Sequence, residues 1–241
     1  MDVKISHVLL THWHGDHTGG VPDLLRLYPD LQDAIYKHTP DSGQQPIEDG
    51  QRFCVEGATV RAVFTPGHSE DHTCFVLEEE NSIFTGDNIL GEGTSVAEDL
   101  GTFMDSLRKM QDQNCETGHP AHGSTILDFP GKLTQDIAAK TRRERQVMQV
   151  LNRIRKAERT MTVKDIVIQI YGSGLDKETV ELALEPFIDQ VLKTLAVTGK
   201  VAFEKRRGEK KWFSLAAPKE ETARVHIAAA KTYTPELINA Y

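Results

Sequence analysis

The sequence predicts an α/β chain of two modules, a strand-rich first module followed by a winged-helix-like second one. Three observations carry this. Apolar runs of strand length recur up to about residue 131, each ending at a Gly-, Asp- or His-rich turn. From about Leu133 long charged helical patterns take over, closed by a basic two-stranded hairpin. The charge also reverses there. Residues 1–131 hold 22 acidic against 7 basic side chains, a balance of −15, whereas residues 132–241 hold 14 against 21, a balance of +7. The expected units are therefore residues 1–131, residues 132–216 and a tail over 217–241 with no readable pattern.

In chain order, VKISHVLLT (3–11) reads as a buried strand and TGGVPDLLRLYP as a short helix that Pro29 helps to end. The alternation from Val60 to Phe64 reads as a half-buried strand, broken by Pro66-Gly67. HTCFVLEEENSIFTGD reads as two strands joined at Glu80-Asn81. Leu100, Phe103, Met104, Leu107 and Met110 mark a helix within 97–113, and NCETGHPAHGS reads as a loop. Beyond it come a helix over 133–159 with apolar Val147, Val150, Leu151 and Ile154, a shorter helix opened by Thr162, and a longer one that contains Pro186 and stops at Gly199. VAFEKRRGEKKWFSL is then strand, basic turn, strand. Helix, helix, helix and wing is the winged-helix order.

Several classes are excluded or disfavoured. No apolar run approaches the roughly 18 residues of a membrane span, so no membrane partner is expected. MDVKISHVLL is too quickly polar for a secretion signal. Cys54, Cys74 and Cys115 are odd in number and lack CxxC spacing, which points to a reducing, cytoplasmic setting without a thiolate metal site. A mitochondrial location would need a targeting segment ahead of residue 1. The acidic first module is a poor nucleic-acid surface unless bound cations offset its charge.

The chemistry gathers in LLTHWHGDHTGG. His12, His14, Asp16 and His17 form H-x-H-x-D-H directly after an apolar run. Alternate residues at a strand end point the same way, so His12 and His14 can grip one ion. A turn into helix would aim Asp16 and His17 at another. His68, Asp87 and His122 each follow an apolar element, where they can converge on the same sheet edge. A polar loop with three structural histidines is the plain alternative. There is no GxSxG elbow or CxxC to supply a side-chain nucleophile.

In order and context, His12, His14, Asp16, His17, His68, Asp87 and His122 resemble the motifs of the metallo-β-lactamase fold superfamily, in its glyoxalase II-like subgroup. The resemblance implies an αββα sandwich and two Zn2+ ions per chain. One would be held by His12, His14 and His68, the other by Asp16, His17 and His122, with Asp87 bridging. Position 14 is His rather than the Glu of flavo-diiron oxidoreductases, and Asp87 stands where class B lactamases usually have Cys. EGATVRAVFTPGHSEDHTCFVLEEENSIFTGDNILGEGTSVAEDL is similar to the fungal polyketide thioesterases of this fold and to the mitochondrial β-lactamase-like endoribonucleases. YKHTPDSG and DGQRFCVEGATVRA lean toward the fungal group. GHPAHG departs from the family's YPGHG, with His119 for Tyr and Ala121 for Gly.

The resemblance thus implies hydrolysis of a thioester carried on an acyl-carrier protein or polyketide synthase. Asp16 would orient the attacking water, and His72 or His119 would steady the tetrahedral oxyanion. Single-strand RNA cleavage is the second reading, with Arg142, Arg143, Arg145 and Lys205-Arg206-Arg207 along the backbone and only Trp212 and Phe213 as aromatics. The family's motif follows several strands, but here it begins at residue 12. An N-terminally truncated sandwich, an oligomer that covers an exposed sheet edge, and a weakly active zinc-binding remnant are the corresponding expectations.

Overall fold

A computed structural model describes residues 4–155 and 160–215. The predicted tail over 217–241 and residues 156–159 of the predicted long helix lie outside the described residues. The first apolar run forms β1 (Val8–Leu9), much shorter than the predicted strand. It pairs in parallel with β2 (Ile35–Lys37), and β2 with β3 (Gln45–Pro46). Parallel neighbours need a crossover. Between β1 and β2 it is made by α1 (Gly15–Thr18), α2 (Val21–Leu27) and a 3-10 turn at Pro29–Leu31.

The second sheet has the order β4-β5-β6-β7-β8. β4 (Arg52–Val55), β5 (Ala58–Phe64), β6 (Thr73–Leu77) and β7 (Ser82–Gly86) pair antiparallel in succession. Asn81 makes the predicted tight turn with φ 48°. After α3 (Leu100–Gln111), β8 (Thr117–Pro120) pairs in parallel with β7. The predicted loop over NCETGHPAHGS is therefore partly a strand. Thr-Gly-His-Pro has little strand propensity, and the β7 ladder supplies what the local sequence lacks.

The period-two alternation of β5 and β6 sorts the core. Ala62 and Phe75 face the small sheet, in a cluster with Phe53, Ile47, Leu9 and Tyr36. Val63, Cys74, Val76 and Ile83 face the other way, onto Phe103, Leu107 and Met110 of α3. Burial of such side chains contributes roughly 1.5–3 kcal/mol each and fixes both sheet and helix.

Beyond residue 128 the predicted order of three helices and a hairpin forms. α4 (Phe129–Arg155) begins four residues before the expected Leu133. α5 (Val163–Tyr171) opens on a capping box, in which Asp165 N–H donates to Thr162 Oγ1 at 3.0 Å and Thr162 N–H donates to Asp165 Oδ2 at 2.9 Å. The long third pattern resolves into α6 (Lys177–Thr179), a π-helical turn at Val180–Leu184 and α7 (Glu185–Val197). Pro186 has no N–H to give the preceding turn, and the irregularity falls beside it. β9 (Val201–Arg206) and β10 (Glu209–Ser214) form an antiparallel hairpin across Arg207-Gly208, both at positive φ.

The expected boundary at 131 is not a boundary of the core. Phe103, Leu107 and Met110 share one buried cluster with Leu133, Val147, Ile166, Ile188, Leu192 and Trp212. Trp212, expected as an aromatic on an RNA track, is fully buried there and closed by Met161 N–H and C=O. Among the described residues no helix is long and apolar enough to cross a membrane.

Candidate metal centre

All seven predicted ligands meet at one place. His12 and His14 follow β1, His68 follows β5, Asp87 follows β7 and His122 follows β8. β5, β7 and β8 run in the same direction, so their ends share one edge. The single turn α1 lifts Asp16 and His17 above that edge, its amides of His17 and Thr18 donating to His14 C=O.

The donor atoms of His12, His14, His68 and Asp87 all lie within 4.8 Å of one another, as do those of Asp16, His17 and His122. In the first group His14 Nδ1 is 2.9 Å from His12 Nε2 and 3.2 Å from His68 Nε2, and Asp87 Oδ2 is 3.6 Å from His68 Nε2. In the second, Asp16 Oδ2 lies 3.4 Å from His17 Nε2 and 3.3 Å from His122 Nε2. The other Asp87 oxygen, Oδ1, is 3.4 Å from both of those histidines. One carboxylate thus faces both groups.

These residues fit metal ions. Donors about 2.1 Å from a tetrahedral ion are themselves about 3.4 Å apart, close to the 2.9 to 3.6 Å of the first group. His17 Nε2 and Asp87 Oδ1 are buried without a hydrogen-bond partner. Orphaned buried atoms need a partner, and a cation between them provides one. Nitrogen and carboxylate donors without thiolate suit a divalent metal ion.

The outward ring nitrogens are held as ligation requires. His68 Nδ1–H donates to Val96 C=O at 2.8 Å, with Ser95 Oγ at 3.3 Å. His12 Nδ1 is bonded to Thr11 Oγ1 at 3.0 Å. A carbonyl can only accept, so the Val96 bond fixes the His68 tautomer that leaves Nε2 free for metal, and the Thr11 hydroxyl orients the His12 ring. Burial, reinforced by the neighbouring His17, His68 and His14, lowers His12 to about 3. Burial likewise lowers His68. Both rings are therefore neutral at pH 7, the form that can ligate a metal. Asp16 is held below the usual carboxylate range, first by its own backbone N–H and further by His17 and His122.

Two predicted catalytic histidines are placed otherwise. His72 is fully buried, and burial pushes its pKa well down. Its Nε2 accepts Asp87 N–H at 3.1 Å, and its Nδ1 is bonded to Thr65 Oγ1 at 3.2 Å. Both nitrogens are engaged, so His72 positions Asp87 and has nothing to offer an oxyanion. Gly86 permits this approach, because a Cβ there would sit 2.5 Å from His72 Nε2. His119 rests on Phe84, with ring centroids 5.1 Å apart, and is not in either donor group.

The sequence reading missed Asp71. It is buried beneath the first loop, where Oδ1 accepts from Ser69 Oγ at 2.8 Å and from Trp13 N–H at 3.4 Å. Its place one residue before His72 in GHSEDH was the available signal.

Seven donors converging on one sheet edge in this frame define a metal-dependent hydrolase. The chain belongs to the metallo-beta-lactamase superfamily, whose family model matches residues 1–122. It is 59% identical over 216 residues to an atrochrysone carboxyl ACP thioesterase of Claviceps purpurea, covering 89% of this chain and 70% of that one. It is 61% identical over 218 residues to the lactamase-like protein ptaB of Pestalotiopsis fici, covering 89% and 69%. Among solved structures, a beta-lactamase domain protein from Burkholderia ambifaria superposes with a TM-score of 0.72 at 18% identity, over 89% of this chain and 75% of that one. That likeness establishes the fold alone.

Proposed function

We propose that this chain is a two-zinc thioesterase acting on an acyl group carried by an acyl-carrier protein. The observation that carries the reading is the complete seven-donor set in a chain 59% identical to a protein named as an ACP thioesterase. His12, His14 and His68 would hold one ion, Asp16, His17 and His122 the second, with Asp87 between them. When bound, the ions supply a Lewis acid for the thioester carbonyl and bring the pKa of water toward ~7.

The chain's own residues do the rest. Asp16, exposed and held as the anion, accepts a hydrogen bond from the attacking water and orients it. His72 and Asp71 keep Asp87 and the His12–His17 loop in place. A thiol leaving group has a pKa near 8.5, so it departs as thiolate without a general acid. That suits a site where His72 is closed to substrate, and it favours an acyl substrate over RNA.

The test is a side-by-side assay of the zinc-loaded chain on an acyl-pantetheine thioester and on single-stranded RNA. Thiol release is expected, falling at least ~100-fold in His14→Ala as one metal is lost. RNA cleavage without thiol release, or thiol release that survives the substitution, would overturn the reading.

A further inference from the structure

Beside the metal centre lies a cavity of about 530 Å3, bounded by residues 94–97, the middle of α4 and the turn that leads into α7. That volume is in the range of small-molecule sites, about 300–1,000 Å3. Val96, Leu100, Ala139, Leu182 and Phe187 give it apolar walls. One wall is shared with the metal site, since Val96 C=O is the group that accepts the His68 Nδ1–H bond. Another is the π-helical turn Val180–Leu184, a backbone form frequent at functional sites.

Lys140 lines this cavity and is only 8% exposed. It falls on the inner stripe of α4, seven residues after Leu133 and seven before Val147, both buried and apolar. The pattern asks for an aliphatic side chain there. The ammonium lies 4.9 Å from the Phe103 ring centroid and 3.4 Å from Ser95 C=O, a long hydrogen bond. Among the described residues no carboxylate is within ion-pair distance of it. Asp136, which also lines the cavity and favours the Lys140 charge from a longer distance, is bonded to Lys132 at 3.2 Å. Arg143, also on the cavity wall, stacks 4.5 Å over Tyr171 and donates to Gln146 Oε1, and among the described residues it has no carboxylate within ion-pair distance. A buried cation without a carboxylate in direct contact is unfavourable for the fold alone. Local conflicts of this kind mark sites of use.

We propose that the cavity receives the acyl part of the substrate and that Lys140, assisted by Arg143, binds an anionic oxygen on it, a carboxylate or an acidic phenol or enol. This rests on the thioesterase reading. The apolar walls cover a ring or chain, while the two cations select acyl groups that carry an acidic oxygen over neutral ones of the same size.

The test uses the full zinc-loaded chain and three N-acetylcysteamine aryl thioesters, with a ring carboxylate, an acidic ring hydroxyl or a neutral methyl ester. The unaltered protein is expected to prefer one of the acidic arms in kcat/KM by about 10- to 100-fold, the usual worth of a hydrogen bond to a charged group. Lys140→Met should collapse that preference through KM, and Arg143→Gln should reduce it. Lys140→Gln serves in the same comparison if Lys140→Met loses its helical circular dichroism. Absence of preference, or preference unchanged in the Lys140 variant, overturns the proposal. If no thioester is hydrolysed, the thioesterase reading fails by itself, and calorimetry with the free aryl acids decides the cavity. At least tenfold weaker binding to the Lys140 variant supports it, whereas equal binding or none to the unaltered protein overturns it.

Discussion

Asp71 is a small part of the centre by volume and a large one by position. Its carboxylate ties the loop of His12–His17 to the turn that carries His68, through Trp13 N–H on one side and Ser69 Oγ on the other. Residues that orient ligands in this way typically change metal affinity by about 10–100-fold when removed. Asp71→Ala is accordingly expected to weaken divalent-metal binding by about that factor, read by competition with a chromophoric chelator. Unchanged affinity would show that the loop holds its shape without the carboxylate. At this scale the sequence was informative about ligands and poor about their supports. H-x-H-x-D-H announces itself by composition, whereas Thr11, Thr65, Asp71 and Ser95 are ordinary polar residues until the fold brings them to a ring nitrogen or a loop amide. His72 shows the converse. It stood among the motifs, yet its two nitrogens are consumed by Thr65 and Asp87.

The elements bring the ligands together because several close approaches are allowed by glycine alone. Gly67, at φ 125°, sits against α3 so tightly that a Cβ would lie 2.4 Å from the Phe103 backbone. Its C=O also accepts Glu98 N–H and Asp99 N–H, which sets the start of that helix. Gly67→Ala therefore meets both backbone strain and a clash, and is expected to destabilise the protein by about 3 kcal/mol or prevent folding. Urea unfolding measures it, and a loss under ~1 kcal/mol would mean that α3 can shift. Strands with regular alternation, such as β5, were readable from their own residues. β2, β3 and β8 were not, because pairing with neighbouring strands, and no local pattern, makes them strands. The helix from 177 to 197 was readable in extent, but the π-helical turn ahead of Pro186 was not.

Across the whole molecule, one buried cluster joins the metal-bearing sheet to the C-terminal helices, although charge and texture change sharply at residue 131. Charge describes surfaces, and the core beneath them is continuous. The stability of this unit depends on pH through its buried rings. His12 and His72 have pKa values lowered from 6.5 in the folded chain, so the unfolded chain binds more protons below that pH. The metal-stripped protein should therefore lose stability as pH falls from 7 toward 5, and a divalent metal ion, whose imidazole ligands must be neutral, should raise the unfolding midpoint most at the upper end. Thermal unfolding with and without chelator across that range tests this, and a midpoint that climbs on acidification would contradict it. The contact between His68 and Val96 has a further consequence. A single peptide group both steadies the ring of His68, a candidate metal ligand, and walls the neighbouring cavity. If a guest in that cavity moves Val96, it alters the grip on the ion, and by thermodynamic reciprocity the ion alters the affinity for the guest by the same factor. Metal loading and substrate selection would then be two readouts of one coupling free energy.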